Sequence, residues 1–92
     1  MNQTEYTVHF YTNTATGALP VKEYIDGLPD KQKAKVLKYV DFLRINKGYL
    51  DEPYSRHIAG KIRELRVDFG RTSHRIFYFT FVEKRLYFCM LF

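Results

Sequence analysis

Four residues of this 92-residue chain have side chains suited to phosphoryl chemistry: Arg66, Arg75, Tyr78 and His57, with Arg56, Lys61 and Arg63 as basic neighbours. Cleavage of RNA needs few groups. The 2′-hydroxyl attacks its own phosphate, a base removes its proton, an acid protects the leaving oxygen, and cations steady the developing charge. Arg75 precedes Ile76-Phe77-Tyr78-Phe79, so its charge calls for a partner or a function. The partner reading pairs it with Glu64 or Asp68 across a hairpin. The functional reading gives it a phosphate. Tyr78 offers base stacking or proton transfer, against ordinary packing in a strand. His57, between Arg56 and Lys61, offers acid–base chemistry near neutrality or a phosphate contact, against a merely solvated basic loop.

Other chemistries find little support. His9, His57 and His74 lack ligand-like spacing and cysteine support, so neither a metal nor another cofactor is expected. There is no glycine-rich phosphate loop, no serine elbow and no evident pair of catalytic carboxylates. Cys89 is the single cysteine and lies in the apolar run Leu86 to Phe92, where a thiol acts as a small hydrophobe. The formal net charge of +5 favours polyanionic partners. The segment Met1 to Tyr11 is polar, and no apolar run is long enough to span a bilayer, which makes the cytoplasm the default address.

The elements that must position these residues follow from patterning. With 46% hydrophobic and 17% aromatic residues, the chain has the makings of one packed domain over 1–92. Tyr6 to Thr12 alternates as a strand, and Asn13 to Gly17 is a turn. Pro20 opens a short helix whose stripe is Val21, Tyr24, Ile25 and Leu28, ended by Gly27 and Pro29. A second helix runs from Asp30 to Asn46 and buries Val36, Leu37, Val40 and Leu43, with Lys47-Gly48 as its stop. So short a link between the helices predicts an antiparallel hairpin. Tyr49 to Gly60 reads as a loop. Three strands follow: Ile62 to Phe69, His74 to Val82 and Arg85 to Phe92, joined through Gly70 to Ser73 and Glu83-Lys84. The expected fold is α+β: an antiparallel meander with the helices on one face, the first strand in the same sheet, and a partly open, charged second face.

The assembled motifs resemble the RelE/HigB superfamily of toxins from type II toxin–antitoxin systems, most closely its phage-derived HigB-like branch. Three stretches carry the likeness: Pro20-Val21-Lys22-Glu23-Tyr24-Ile25 with Leu28-Pro29; Glu52-Pro53-Tyr54-Ser55-Arg56-His57-Ile58; and Ile62-Arg63-Glu64-Leu65-Arg66-Val67 with Arg75-Ile76-Phe77-Tyr78-Phe79. The resemblance implies a ribosome-dependent endoribonuclease (an mRNA interferase) that cuts messenger RNA in the A site. It also implies a small helix-turn-helix, HigA-like antitoxin as partner. In such toxins the arginine matching Arg75 supports the scissile phosphate, and the basic residue matching Arg66 lines the same concave face. Tyr78, His57 and Lys61 are further carry-overs.

Family members usually continue past the last strand with a Gly-Phe and lysine-rich segment that contributes to the active site. Here the sequence stops at Phe92, on an apolar strand of a kind that invites edge association. That departure implies a chain short of the family's usual end. It leaves two alternatives to the nuclease: a catalytically impaired toxin that only binds its antitoxin, and a non-catalytic RNA-binding sheet domain.

Overall fold

The computed structural model describes residues 6–81 and 83–91. The order is β1 (Thr7–Phe10), α1 (Pro20–Asp26), α2 (Asp30–Ile45), β2 (Ser55–Ala59), β3 (Ile62–Phe69), β4 (Thr72–Phe81) and β5 (Arg85–Leu91). All five strands form one sheet in the order β1-β5-β4-β3-β2. Strands β2 to β5 pair antiparallel in succession, and β1 lies parallel to β5. A parallel return needs a long connection, and here it runs through both helices and strands β2 to β4. The expected strand ends Val82 and Phe92, and the segment 1–5, lie outside the described residues.

One expectation is corrected. The stretch from Tyr49 to Gly60 is not all loop, because Ser55–Ala59 forms the edge strand β2. Its residues pair Ser55 with Leu65, Arg56 with Glu64 and His57 with Arg63, and the register shifts between His57 and Ala59. Only Ser55 of this strand is buried. An edge strand exposed on nearly all its side chains carries no apolar alternation, which is why its sequence reads as loop.

Alternation along the strands sorts the sheet into two faces. Leu65 and Val67 of β3, Ile76 and Tyr78 of β4, and Leu86 and Phe88 of β5 join Val21, Ile25, Val36, Val40 and Leu43 of the helices in a single core. The helices therefore cover one face. Leu37, expected in the buried stripe, is exposed.

His74 ties both helices to this face. Its buried ring lies between Tyr24 of α1 and Gln32 of α2. The Gln32 Oε1 can only accept, so His74 Nε2–H donates to it at 2.8 Å, and the Tyr24 hydroxyl donates to Nδ1 at 2.6 Å. Burial pushes the His74 pKa below its ordinary 6.5. The unfolded chain then binds more protons than the folded one once the pH falls through that value, so stability must drop on acidification. We expect the denaturation midpoint of the protein to fall as the pH is lowered through 6.5. A His74→Leu variant, less stable at neutral pH, should show a flatter dependence over the same window.

The link after α2 has a separate constraint. Lys47 and Gly48 both adopt positive φ, at 60° and 85°, and the Gly48 N–H donates to the Leu43 carbonyl at 2.7 Å. A Cβ on Gly48 would lie 2.4 Å from Thr80 Cγ2 and 3.0 Å from Leu86 Cδ2. Gly70 also has positive φ, but nothing lies within 4 Å of its would-be Cβ. Gly48→Ala should cost about 2–4 kcal/mol, combining left-handed strain with overpacking. Gly70→Ala should cost about 1–2 kcal/mol, from strain alone. Urea unfolding of both variants checks the contrast.

Candidate nucleic-acid interface

Among the described residues, no helix lies on the second face of the sheet. Strand alternation puts Arg56 of β2, Glu64, Arg66 and Asp68 of β3, Arg75, Phe77 and Phe79 of β4, and Arg85 and Tyr87 of β5 on it, with Thr7 and His9 of β1. The two-residue turn Gly70-Arg71 pairs Phe69 with Thr72, and counting back from it sets Arg66 directly opposite Arg75. Their Cβ atoms are then about 5 Å apart. Like charges in that relation destabilise a sheet. Asp68 offsets part of the cost: its Oδ1 lies 3.0 Å from Arg66 Nε and accepts from Ser73 Oγ at 2.6 Å. These donors hold the Asp68 carboxyl below its usual range, led by the Ser73 hydroxyl and then Arg66. Lys35 reaches across from α2 to the Asp68 carbonyl.

Glu64 is buried although it belongs to this face, and its Oε1 lies 3.8 Å from Arg56 Nε. The acid sits on the strand that carries Arg66, and Phe77 is its register partner on the strand that carries Arg75. Patterning alone gave it no role beyond a possible ion pair. The clue available in the sequence is its parity with Arg66.

Across the sheet from the arginines, three rings form a row. His9 stacks on Tyr87 with centroids 5.0 Å apart and planes 26° apart, and Tyr87 stacks on Phe79 at 5.5 Å and 17°. This row was missed in the sequence because β1 lies far from β5 in the chain, and only their parallel pairing brings His9 to Tyr87.

Other expected site residues fall elsewhere. Tyr78 is fully buried on the helix-covered face, so the sheet separates it from Arg66 and Arg75. The reason is parity: Tyr78 is three residues from Arg75, and odd separations point to opposite faces. The Tyr78 hydroxyl donates to the Gly48 carbonyl at 2.8 Å. Ser55 Oγ, 2.7 Å away, must therefore donate to it, and Arg63 Nε donates to Ser55 Oγ at 3.1 Å. Burial pushes the Tyr78 phenol up, only partly opposed by Ser55 and Arg63. Its contribution is to hold the loop and β2 in place. Arg63 belongs to the same relay, with its guanidinium 4.8 Å from the centre of the Tyr49 ring.

His57 is exposed near the end of β2, and its Nε2 lies 2.8 Å from the Gly60 carbonyl. Arg56, next to it, takes the opposite side of the strand, toward Glu64. Lys61 is exposed in the β2–β3 turn. Thus Arg56, Arg66 and Arg75 share the open face, whereas Arg63 and Tyr78 are committed to the covered one. Cys89 is partly buried, its thiol pushed up by desolvation, as suits a packing residue. Among the described residues no cluster of side chains could hold a metal ion, and no helix is long and apolar enough to cross a membrane.

Replacing Tyr78 by Phe keeps the ring and removes the relay's central hydroxyl. It should destabilise the fold by about 1–3 kcal/mol, because the Gly48 carbonyl and the Ser55 hydroxyl lose their buried partner. Chemical denaturation measures that loss.

A two-helix α+β domain with an uncovered, arginine-bearing and aromatic sheet face thus defines the class. The profile of the family described as "Phage derived protein Gp49-like (DUF891)" matches residues 23–92. The chain belongs to this phage-derived Gp49-like family, which is a HigB-like toxin family. Comparison with curated proteins gives no match.

Proposed function

We infer that this protein is the toxin of a type II toxin–antitoxin pair and acts as a ribosome-dependent endoribonuclease on messenger RNA in the A site. The observation that carries the reading is the Arg66–Arg75 pair, directly opposed on the uncovered sheet face of a Gp49-like chain. A phosphate between two guanidinium groups would relieve their repulsion and take several charge-assisted hydrogen bonds. In the reaction the 2′-oxygen bonds to phosphorus while the bond to the 5′-oxygen breaks. The 2′-proton passes to a base, and the leaving oxygen receives a proton. Arg66 and Arg75 meet the extra negative charge on the phosphoryl oxygens at the crossing point, from strands that hold them rigidly.

Arg56 extends the positive surface along the same face, and Lys61, exposed in the β2–β3 turn, adds charge at that end of the sheet. His57, exposed at that edge, presents its ring on the side of β2 away from the arginine pair. Arg63 and Tyr78 act through the relay that fixes β2. A HigA-like helix-turn-helix antitoxin is the partner that this family membership supports. The cytoplasm, where ribosomes work, is the corresponding site of action.

Two experiments test the reading. Primer extension on ribosomes carrying a defined message should show new cuts in the A-site codon with the wild-type protein. Arg75→Ala should abolish the cuts and the growth arrest while the protein stays folded and still binds its antitoxin. Full toxicity of a folded Arg75→Ala protein would overturn the assignment. No cuts from folded wild-type protein that still binds its antitoxin would favour the binding-only alternative. Binding should also weaken steeply with salt, as phosphate contacts release counterions.

A further inference from the structure

The geometry points to the His9–Tyr87–Phe79 row as a base-stacking subsite for single-stranded RNA, in which a nucleobase continues the column on the outer face of His9. This inference rests on the RNA reading above and adds a second contact point to it.

The centroid spacings of 5.0 and 5.5 Å are close to the distance between neighbouring strands. The rings are therefore stacked along the direction that crosses the strands, and the column has two ends. At the β4 end, Phe79 has Ile62 of β3 as its register partner, so the column is flanked by an aliphatic side chain. At the other end stands His9, on β1. That strand is an edge of the sheet and pairs only with β5 among the described residues. The outer face of the imidazole is thus where a further ring can add.

The His9 ring is held for this purpose on both sides. Tyr87 backs it, and Thr7 Oγ1 lies 2.9 Å from its Nε2, fixing rotation about the side chain. Thr7 and His9 share one face of β1, so the contact needs no distortion of the strand. A ring fixed by its neighbours loses little freedom when a base stacks on it. All three rings are only partly buried, as a surface column requires.

Charge selects the occupant. The same face carries Arg56, Arg66, Arg75 and Arg85, and the chain as a whole carries a net charge of +5. An apolar protein segment would gain nothing from those guanidinium groups, whereas a nucleic-acid strand presents phosphates and π-faces together. Arg75 and Phe79 are four residues apart on β4, and β1 lies two strands beyond. Strand rise and strand spacing then put His9 roughly 16 Å from Arg75 along the sheet. A single strand of a few nucleotides spans that distance, with one phosphate on the arginines and a flanking base on His9. Stacking is tolerant of sequence, so this contact sets the position of the message rather than its reading.

The test uses the full chain and ribosomes carrying a defined message, with cleavage followed by primer extension. His9→Ala should raise KM about 5-fold or more, given the worth of one stacked base, with kcat retained. His9→Phe should restore the wild-type KM, since the ring face is what matters. A message with an abasic residue at each position flanking the cut, in turn, should find one position where the wild-type KM rises and the His9→Ala KM does not. Thermal unfolding of each variant separates this from misfolding, which would lower cleavage at every position alike. If wild type cuts, Arg75→Ala does not, and His9→Ala is indistinguishable from wild type, the subsite is wrong and the nuclease reading stands. If His9→Ala weakens antitoxin binding with cleavage kinetics unchanged, the row is a protein interface and the inference falls. If folded wild-type protein neither cuts nor binds RNA, the nuclease reading itself fails and takes the subsite with it.

Discussion

A single buried hydroxyl holds together the parts of this fold that are remote in sequence. Tyr78 sits in the middle of β4 with its ring in the core, and its oxygen is the junction of a directed chain: Arg63 to Ser55, Ser55 to Tyr78, Tyr78 to the Gly48 carbonyl. Each donor in that series has an acceptor, and the only charge lies at the partly exposed end. Hydrogen bonds so aligned polarise one another, and the low-dielectric surroundings raise the cost of interrupting them. The chain fixes where α2 stops and where β2 starts. Gly48 completes the constraint from the other side, because only a residue without Cβ fits against Thr80 and Leu86 there.

That arrangement has consequences on the face it does not touch. Fixing β2 through Ser55 sets the register of β2 on β3, and so sets Arg56 beside Glu64. The β3–β4 hairpin sets Arg66 against Arg75. The register of the positive face is therefore set by backbone pairing. Stability comes from the covered face, where Leu65, Val67, Ile76, Leu86 and Phe88 meet the helices. The open face carries the directly opposed Arg66 and Arg75. Asp68 pairs with Arg66 and Glu64 with Arg56, and neither removes the net positive charge.

Much of this was legible in the sequence. The stripes of α1 and α2 and the alternation of β3 gave the elements, and the alternation also placed Glu64, Arg66 and Asp68 on one face. The same alternation, applied strictly, separates Tyr78 from Arg75, since an odd spacing in a strand cannot be bridged by side-chain length. Tyr78 was drawn toward the site by its chemical type, and parity decides otherwise. Strand β2 was hidden because an exposed edge has no apolar rhythm to read. The His9–Tyr87 contact was hidden for a different reason. A parallel pairing between the first and last strands has no local signal in the sequence.

The distribution of histidines follows the same division of the sheet. His74 has both ring nitrogens engaged by the helices and is desolvated, so its proton affinity belongs to folding. His9 and His57 are at the two edges of the sheet, on β1 and β2, where protein groups cover less of each ring. An imidazole can serve RNA in two ways, by stacking its face or by moving a proton. Stacking needs a ring supported from behind, which Tyr87 gives His9. His57 instead leans on its own turn, where Nε2–H donates to the Gly60 carbonyl at 2.8 Å. His9 shares the open face with the arginine pair, whereas His57, in register with Arg63, lies on the other side of its strand.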